Sequence, residues 1–460
     1  MPERVESPSR KADYILRPTP GYVLEKNFEK PIRGIYKASR GFGQDVVMQS
    51  LVVCAGSELW QKSGSGDWQM LGHVGDGVGM VSICDDSVAM LVCDGAFAWR
   101  IPFDKPAIQR LRPGHDIFIE PHSCAAVGSY TIVCGREMDV NSKESAKFYV
   151  NEPLDNSKFA ALDYFTADSF SGEVKAVASA CGLLWLLGAD GAEAWQVTGN
   201  SNMPLVRVGG MFFSGCGLLG PHSFASGGDS LFWLGQGSKG NGIAYLAVAG
   251  MAPKRVSTIP IEEEWQSYKD LANAYASQYA SGGHSFYLLS FPQSRKTWVF
   301  DTETGLWHER QSGPAGKRTM WEPAILQAVR QDTFGANPDG RIFKLAPPQA
   351  GEDGAPVLRR RTTPAVDTKE RRARHNCLSI SMQSGTGEVK LMLRFSDDNG
   401  YTWGATRTLK LGSVGQYARL AQFRMLGTAR RRVYELDVSD PVGVAIVRAA
   451  IAMDIMGVRS

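Results

Sequence analysis

The chain lacks the residue spacings that most enzyme and metal sites require. It contains no Cys-x-x-Cys pair, no His-Glu-x-x-His, no Gly-x-Ser-x-Gly and no phosphate loop ending in Gly-Lys-Ser/Thr. Its eight cysteines (54, 84, 93, 124, 134, 181, 216 and 377) and seven histidines are dispersed. That spacing speaks against zinc and leaves reduced thiols in apolar runs such as "SLVVCAG" and "AMLVCDG". No metal, cofactor or catalytic residue is expected. The net charge of +3 is too small for nucleic-acid binding by the chain as a whole. The opening "MPERVESPSRKADY" has no apolar core of a secretory signal, so folding in the cytoplasm is expected. The longest uncharged run, Val208 to Gly228, is broken by seven glycines and a proline and does not read as a membrane span.

Helical periodicity is also nearly missing from the first 350 residues. What is present is an all-β composition: 50 glycines, 11 tryptophans and 14 tyrosines in 460 residues, with 43% hydrophobic content. Short apolar runs, a turn and a second run ending in an aromatic recur. "LVCDGAFAWRI" and "LLGADGAEAWQV" share Asp-Gly-Ala-x-Ala-Trp. One aromatic from each unit gives Trp60, Trp99, Phe148, Trp195, Tyr245, Trp298 and Phe343, spaced 39 to 53 residues apart. Such a period, with about four short strands per unit, predicts a β-propeller of six to seven blades over residues 46–350. Residues 1–45 read as an arm or a closing segment of the propeller.

"IPIEEEWQSYKDLANAYASQY" departs from the pattern. Ile261, Trp265, Tyr268, Ala272, Tyr275 and Tyr279 fall at helical spacing after Pro260, predicting a helix inserted between blades with Glu262, Glu263 and Glu264 solvated in its first turn. Residues 351–372 are rich in proline, glycine and arginine and read as a basic linker. Residues 373–460 alternate as strands of a β-sandwich or jelly-roll-like domain.

Two stretches suggest chemistry. "LRFSDDNGYTWG" fits the Asp box of sialidases and other propeller proteins at Ser396, Asp398, Gly400, Thr402 and Trp403, and "AWRIPF" resembles the sialidase Arg-Ile-Pro signature. The context opposes sialidase activity, because Trp99 to Pro102 is in phase with the hairpin aromatics and the single good Asp box lies outside the repeat. The box therefore reads as a hairpin staple, with Asp397, Asp398 and Asn399 bonding turn amides and a buried Trp403 covering the hairpin. "GCGLLG" and "GQGSKG" satisfy Gly-x-Gly-x-x-Gly but open no helix, so they read as turns.

Charge is unevenly placed. Residues 357–460 carry eighteen Lys and Arg against nine Asp and Glu, a local +9 that leaves −6 elsewhere. Arg359, Arg360, Arg361, Arg371, Arg372, Arg374, Arg430, Arg431 and Arg432 are half of these cations and form a candidate basic edge, solvated or facing another subunit.

Together "ADYILRPTPG", "CGLLWLLGADGAEAWQVTGN", the helix segment, "HSFYLLSFPQSRKTWVFDTETGLWHER", the Asp box and "QFRMLGTARRRVYELDVSDPVGVAIV" resemble, in order, the tail nozzle or packaged-DNA stabilisation family of short-tailed bacteriophages of the Salmonella podovirus type. The resemblance implies a non-enzymatic virion protein assembled in the host cytoplasm. It implies a homo-hexameric ring below the portal and adaptor that retains packaged DNA, mounts the tail needle or plug and fibres or tailspikes, and becomes the ejection channel. A glycan-binding or glycan-cleaving tail propeller is the alternative.

Overall fold

The computed structural model describes residues 2–4, 14–43, 48–64, 66–75, 78–138, 146–168, 172–200, 202–237, 240–314, 316–368, 371–384, 387–411 and 418–456. Two compact units result: one formed by residues 24–311 and 319–344, the other by residues 1–23, 312–318 and 345–460.

The first unit contains seven antiparallel sheets in chain order. Blade 1 is Ile32–Ala38, Ser50–Ala55, Glu58–Ser63 and Gln69–His73; blade 2 is Ser82–Asp85, Ala89–Cys93, Ala98–Pro102 and Gln109–Arg110. Blades 3 and 4 begin at Ile119–Val127 and Val174–Ala180. Blade 5 has an inner strand split into Gly217–Leu218 and Phe224–Gly227, and blade 6 begins at Tyr275–Ser281. In blade 7 the strands Ile325–Val329, Asp332–Ala336 and Arg341–Ala346 are completed by Gly21–Asn27 from the start of the chain. First strands of successive blades pack on one another, and that of blade 7 returns to that of blade 1, so the ring is closed around an axis.

All seven aromatics picked by spacing lie on the third strand of their blade, Phe148 included. There they fill the seams between sheets: Trp195, nearly buried, meets Phe148 of the preceding blade edge-on at 5.2 Å, and Tyr245, stacked on its cross-strand neighbour Trp233 at 5.6 Å, packs in one cluster with residues of blade 4. Asp94 shows why Asp-Gly begins such a hairpin. Its Oδ1 accepts from the amides of Ala96 (2.9 Å) and Phe97 (2.6 Å), and its Oδ2 accepts from Trp99 Nε1 (2.9 Å).

The inserted helix is shorter than its periodicity suggested, running only over Ile259–Gln266. Tyr275 and Tyr279 instead lie in the first strand of blade 6. A spacing of four residues keeps side chains on one face of a helix and of a strand alike, so the pattern could not separate them. Nor are the three glutamates equivalent. Glu262 is buried and accepts from Arg255 Nε (2.7 Å) and Ser257 Oγ (2.5 Å), whereas Glu263 and Glu264 are exposed. Trp265 is fully buried against Trp307 and Phe291.

The second unit is a β-sandwich. One sheet runs Pro2–Arg4, Tyr14–Leu16, Val444–Ile455, Ala373–Ser384, Ala418–Arg424; the other runs Arg359–Thr362, Arg431–Val438, Val389–Ser396, Arg407–Leu411. Leu378, Ile380, Leu391, Leu393, Phe423, Tyr434 and Leu436 form its core. Residues 351–372 thus contain an edge strand, Arg359–Thr362, where a linker was expected. Arginine alternation is tolerated there because the partner strand offers Glu435 and Asp437. No helix among the described residues is long and apolar enough to cross a membrane.

Candidate functional site

The nine arginines divide into two groups. Four are engaged within the sandwich. Arg432, 2% exposed, donates from Nε to Asp397 Oδ1 (2.5 Å) and from Nη2 to Asp397 Oδ2 (2.7 Å), with its guanidinium 4.1 Å from the Phe395 ring. Arg360 forms a fork with Asp437 (2.9 and 2.8 Å) and reaches Glu435. Arg359 donates to the Val442 carbonyl (2.7 Å) and Arg361 to the Arg360 carbonyl (2.7 Å), and burial lowers the pKa of both. Their hydrogen bonds are spent within the sandwich, although Arg360 remains 41% exposed.

The other five, Arg371, Arg372, Arg374, Arg430 and Arg431, are exposed and have no side-chain hydrogen bond or ion pair among the described residues. The backbone gathers them. Arg374 is in register with Thr428, Arg431 with Asp367, and the Thr368 hydroxyl lies within hydrogen-bond reach of both the Arg371 and Arg430 carbonyls. Two short chain segments that neighbour each other in the sandwich therefore carry all five exposed arginines.

The Asp box closes the loop between Val389–Ser396 and Arg407–Leu411. Ser396 Oγ donates to Asp398 Oδ1 (2.6 Å) and accepts from the Gly400 amide (2.8 Å). Asp398 accepts from the Thr402 amide (2.8 Å) and hydroxyl (2.5 Å). Asn399 and Gly400 take positive φ of 62° and 96°. Hydrogen bonds from Ser396 and Thr402 hold the Asp398 carboxyl down at about 2.

Two details of the staple differ from expectation. Asp397 bonds Arg432 rather than turn amides, and Trp403 is half-buried, lying under Arg394 with the guanidinium 4.7 Å from its ring. Sequence reasoning missed the acidic partners Asp397, Glu435 and Asp437. For Glu435 and Asp437 the signal was the alternation in "VYELDV", which puts both on the same face.

The sialidase-like Arg100 is tied to Asn156 Oδ1 (2.8 Å). "GQGSKG" is the turn between the second and third strands of blade 5, with Ser238 and Lys239 outside the described residues. "GCGLLG" crosses the short strand Gly217–Leu218, and no helix follows it.

Comparison with known proteins decides the family. The model for "Bacteriophage P22 Gp10, beta-propeller" matches residues 4–349, and that for "Bacteriophage P22 Gp10, beta-sandwich" matches residues 359–454. The chain belongs to the bacteriophage P22 Gp10 family. It is thus a phage structural protein with a propeller and a sandwich domain. No curated protein matches the chain.

Similar solved structures include a streptogramin B lyase (10% identity, TM-score 0.44, covering 71% of this chain and 98% of that one). Others are BamB from Moraxella catarrhalis (11%, 0.36, 72% and 97%) and an exo-beta-1,3-galactanase from Phanerochaete chrysosporium (10%, 0.29, 81% and 95%). At these scores they carry no argument about activity.

Proposed function

We propose that the protein is a non-enzymatic component of the virion tail, a homo-hexameric nozzle ring below the portal and adaptor that retains packaged DNA and becomes the ejection channel. The observation that carries this reading is the family match in both domains, over residues 4–349 and 359–454. A closed ring needs a head-to-tail interface between unlike surfaces of identical subunits. The five unpaired arginines on those two neighbouring segments of the sandwich suit such an interface. Arg371, Arg372, Arg374, Arg430 and Arg431 would face an acidic surface of the next subunit or of the adaptor. Arginine exposed to the channel would grip DNA phosphates and slow its passage, so a protein-facing position fits the role better. The needle or plug and the fibres or tailspikes would mount on the outer surfaces of the ring.

Electron microscopy of particles made with and without the protein tests the proposal. Particles lacking it should lose DNA and end at the adaptor; particles that keep both their DNA and a complete tail overturn the reading. Charge reversal at Arg371 and Arg430 should reduce ring assembly on the portal–adaptor complex, and unchanged assembly removes these residues from the interface.

A further inference from the structure

The propeller carries a cavity at its axis, lined by both polar and apolar side chains, that the structural role does not use. Its volume is about 480 Å³, within the range of small-molecule sites, and its lining comes from the inner parts of blades 2 to 6. Three irregularities of the inner strands build it. In blade 3 the register slips between Pro121 and Ser123, leaving His122 as a bulge. In blade 4 it slips between Val174 and Ala176, leaving Lys175 as a bulge. In blade 5 the inner strand is interrupted, and His222 sits in the gap. Bulges re-aim a side chain that regular pleating would send elsewhere, and here His122, Lys175 and His222 all line the cavity.

The sequence repeats the device. Pro121-His122-Ser123 and Pro221-His222-Ser223 are the same tripeptide in blades 3 and 5. Gly135 opposite the first bulge is held to glycine, since a Cβ there would stand 2.1 Å from the Glu120 carbonyl oxygen.

The charges decide what the cavity can take. Lys175 Nζ donates to the carbonyls of Leu218 (3.2 Å) and Leu219 (3.4 Å) and has no carboxylate partner among the described residues. A third N–H of the ammonium is left for a ligand. Blade 1 adds a further cation behind the wall. Arg33, itself a bulge residue and 4% exposed, donates to the Gly79 and Gly75 carbonyls (2.8 Å each) and leaves Nη2 without a partner. Of the lining carboxylates, Asp94 is occupied by two amides and the Trp99 indole, while Glu173 has no side-chain partner. His122 bonds the Val174 carbonyl, whereas the His222 imidazole has no hydrogen-bond partner among the described residues. Burial, then the His122 charge, lowers His222 to about 4, so both remain neutral polar groups near pH 7.

We propose that this axial cavity binds a small organic anion, a carboxylate or a phosphate, with its charge on Lys175 and a hydrogen bond from His222. Leu219, Pro221 and Tyr275 supply the apolar wall for the rest of the ligand. The anion could be free in solution or carried by an acidic side chain of another protein, and the test separates the two.

Calorimetric titration of the full chain with citrate and inorganic phosphate represents the free source, and triglutamate peptide the protein-borne one. Because the sandwich arginines also attract anions, the comparison that matters is with Lys175→Met, which should weaken binding about ten-fold or more through the loss of one charge-assisted bond. Lys175→Arg should retain it. Glu173→Gln, which removes the repelling carboxylate, should tighten it several-fold. Tighter binding of citrate assigns a free metabolite, and tighter binding of the peptide assigns a partner's acidic side chain. If Lys175→Met and Glu173→Gln both leave affinity unchanged, or none of the probes binds at millimolar concentration, the proposal is wrong.

Discussion

Arg432 and Asp397 form an asymmetric pair in the sandwich: a guanidinium whose side chain is 3% exposed meets a carboxylate that is 49% exposed. The asymmetry matters, because removing Asp397 strands a buried charge whose other hydrogen-bond acceptor is the Leu426 carbonyl. Asp397→Ala is expected to lower stability by about 3 kcal/mol, the low end for a broken buried pair. Urea denaturation of the variant measures it, and a loss below about 0.5 kcal/mol would mean that the pair behaves as an ordinary surface bridge.

Trp403 makes the opposite case. A buried tryptophan would cost about 3–5 kcal/mol on truncation. Half-buried and held by Arg394, it should cost nearer 1 kcal/mol in Trp403→Ala, mostly through the lost cation–π contact. A double-mutant cycle with Arg394→Met isolates that contact, and additivity of the two single losses would show that there is no coupling.

Acid should loosen the sandwich in two stages. His375 is buried, shares a hydrogen bond between its Nδ1 and the Tyr434 hydroxyl (2.7 Å) and has its pKa lowered by burial and then by the Arg432 charge. The unfolded chain therefore takes up a proton that the folded His375 resists, and stability falls as pH drops below about 6.5. Asp398 has the depressed value of about 2, so the stability it gives above its unfolded value near 4 is lost as pH falls towards 2. Thermal melts of the wild type and His375→Gln between pH 7 and 5 should converge with acid. Parallel curves would remove His375 from the first stage.

Thiol reactivity should follow burial. Six cysteines are buried and two, Cys181 and Cys377, are partly exposed. Burial pushes Cys54 up to about 12 and Cys216 to about 11, so neither forms thiolate at pH 8 in the folded chain. Brief alkylation of native protein followed by peptide mass spectrometry should find label on Cys181 and Cys377 first. Early label on Cys54 would show that blade 1 opens.

The propeller was legible because a third-strand aromatic must fill each seam, which leaves a period of one large residue per blade from Trp60 to Phe343. The Asp box was legible for a similar reason: its side chains bond within seven residues of one another. What spacing could not resolve were contacts set by distant strands. The "RRRT" at 359–362 looked like a solvated linker until Glu435 and Asp437 came alongside it, and Glu262 looked solvated until Arg255 met it. The axial cavity escaped for the same reason, since a bulge is a property of a strand pair. Its one trace in the sequence was the repeated Pro-His-Ser.

The use of Gly21–Asn27 to finish blade 7 sets a timetable for biosynthesis. This segment is made before the rest of the propeller, yet its sheet partner Arg341–Ala346 is made more than three hundred residues later. At roughly 5–20 residues per second the strand waits about 15–60 s with its hydrogen-bonding edge open. Tyr14–Leu16 waits longer still, for Val444–Ile455. Throughout that interval each nascent chain offers a free edge to its neighbours on the same messenger. If copies assemble side by side as proposed, correct assembly begins with keeping them apart until the ring of blades has shut.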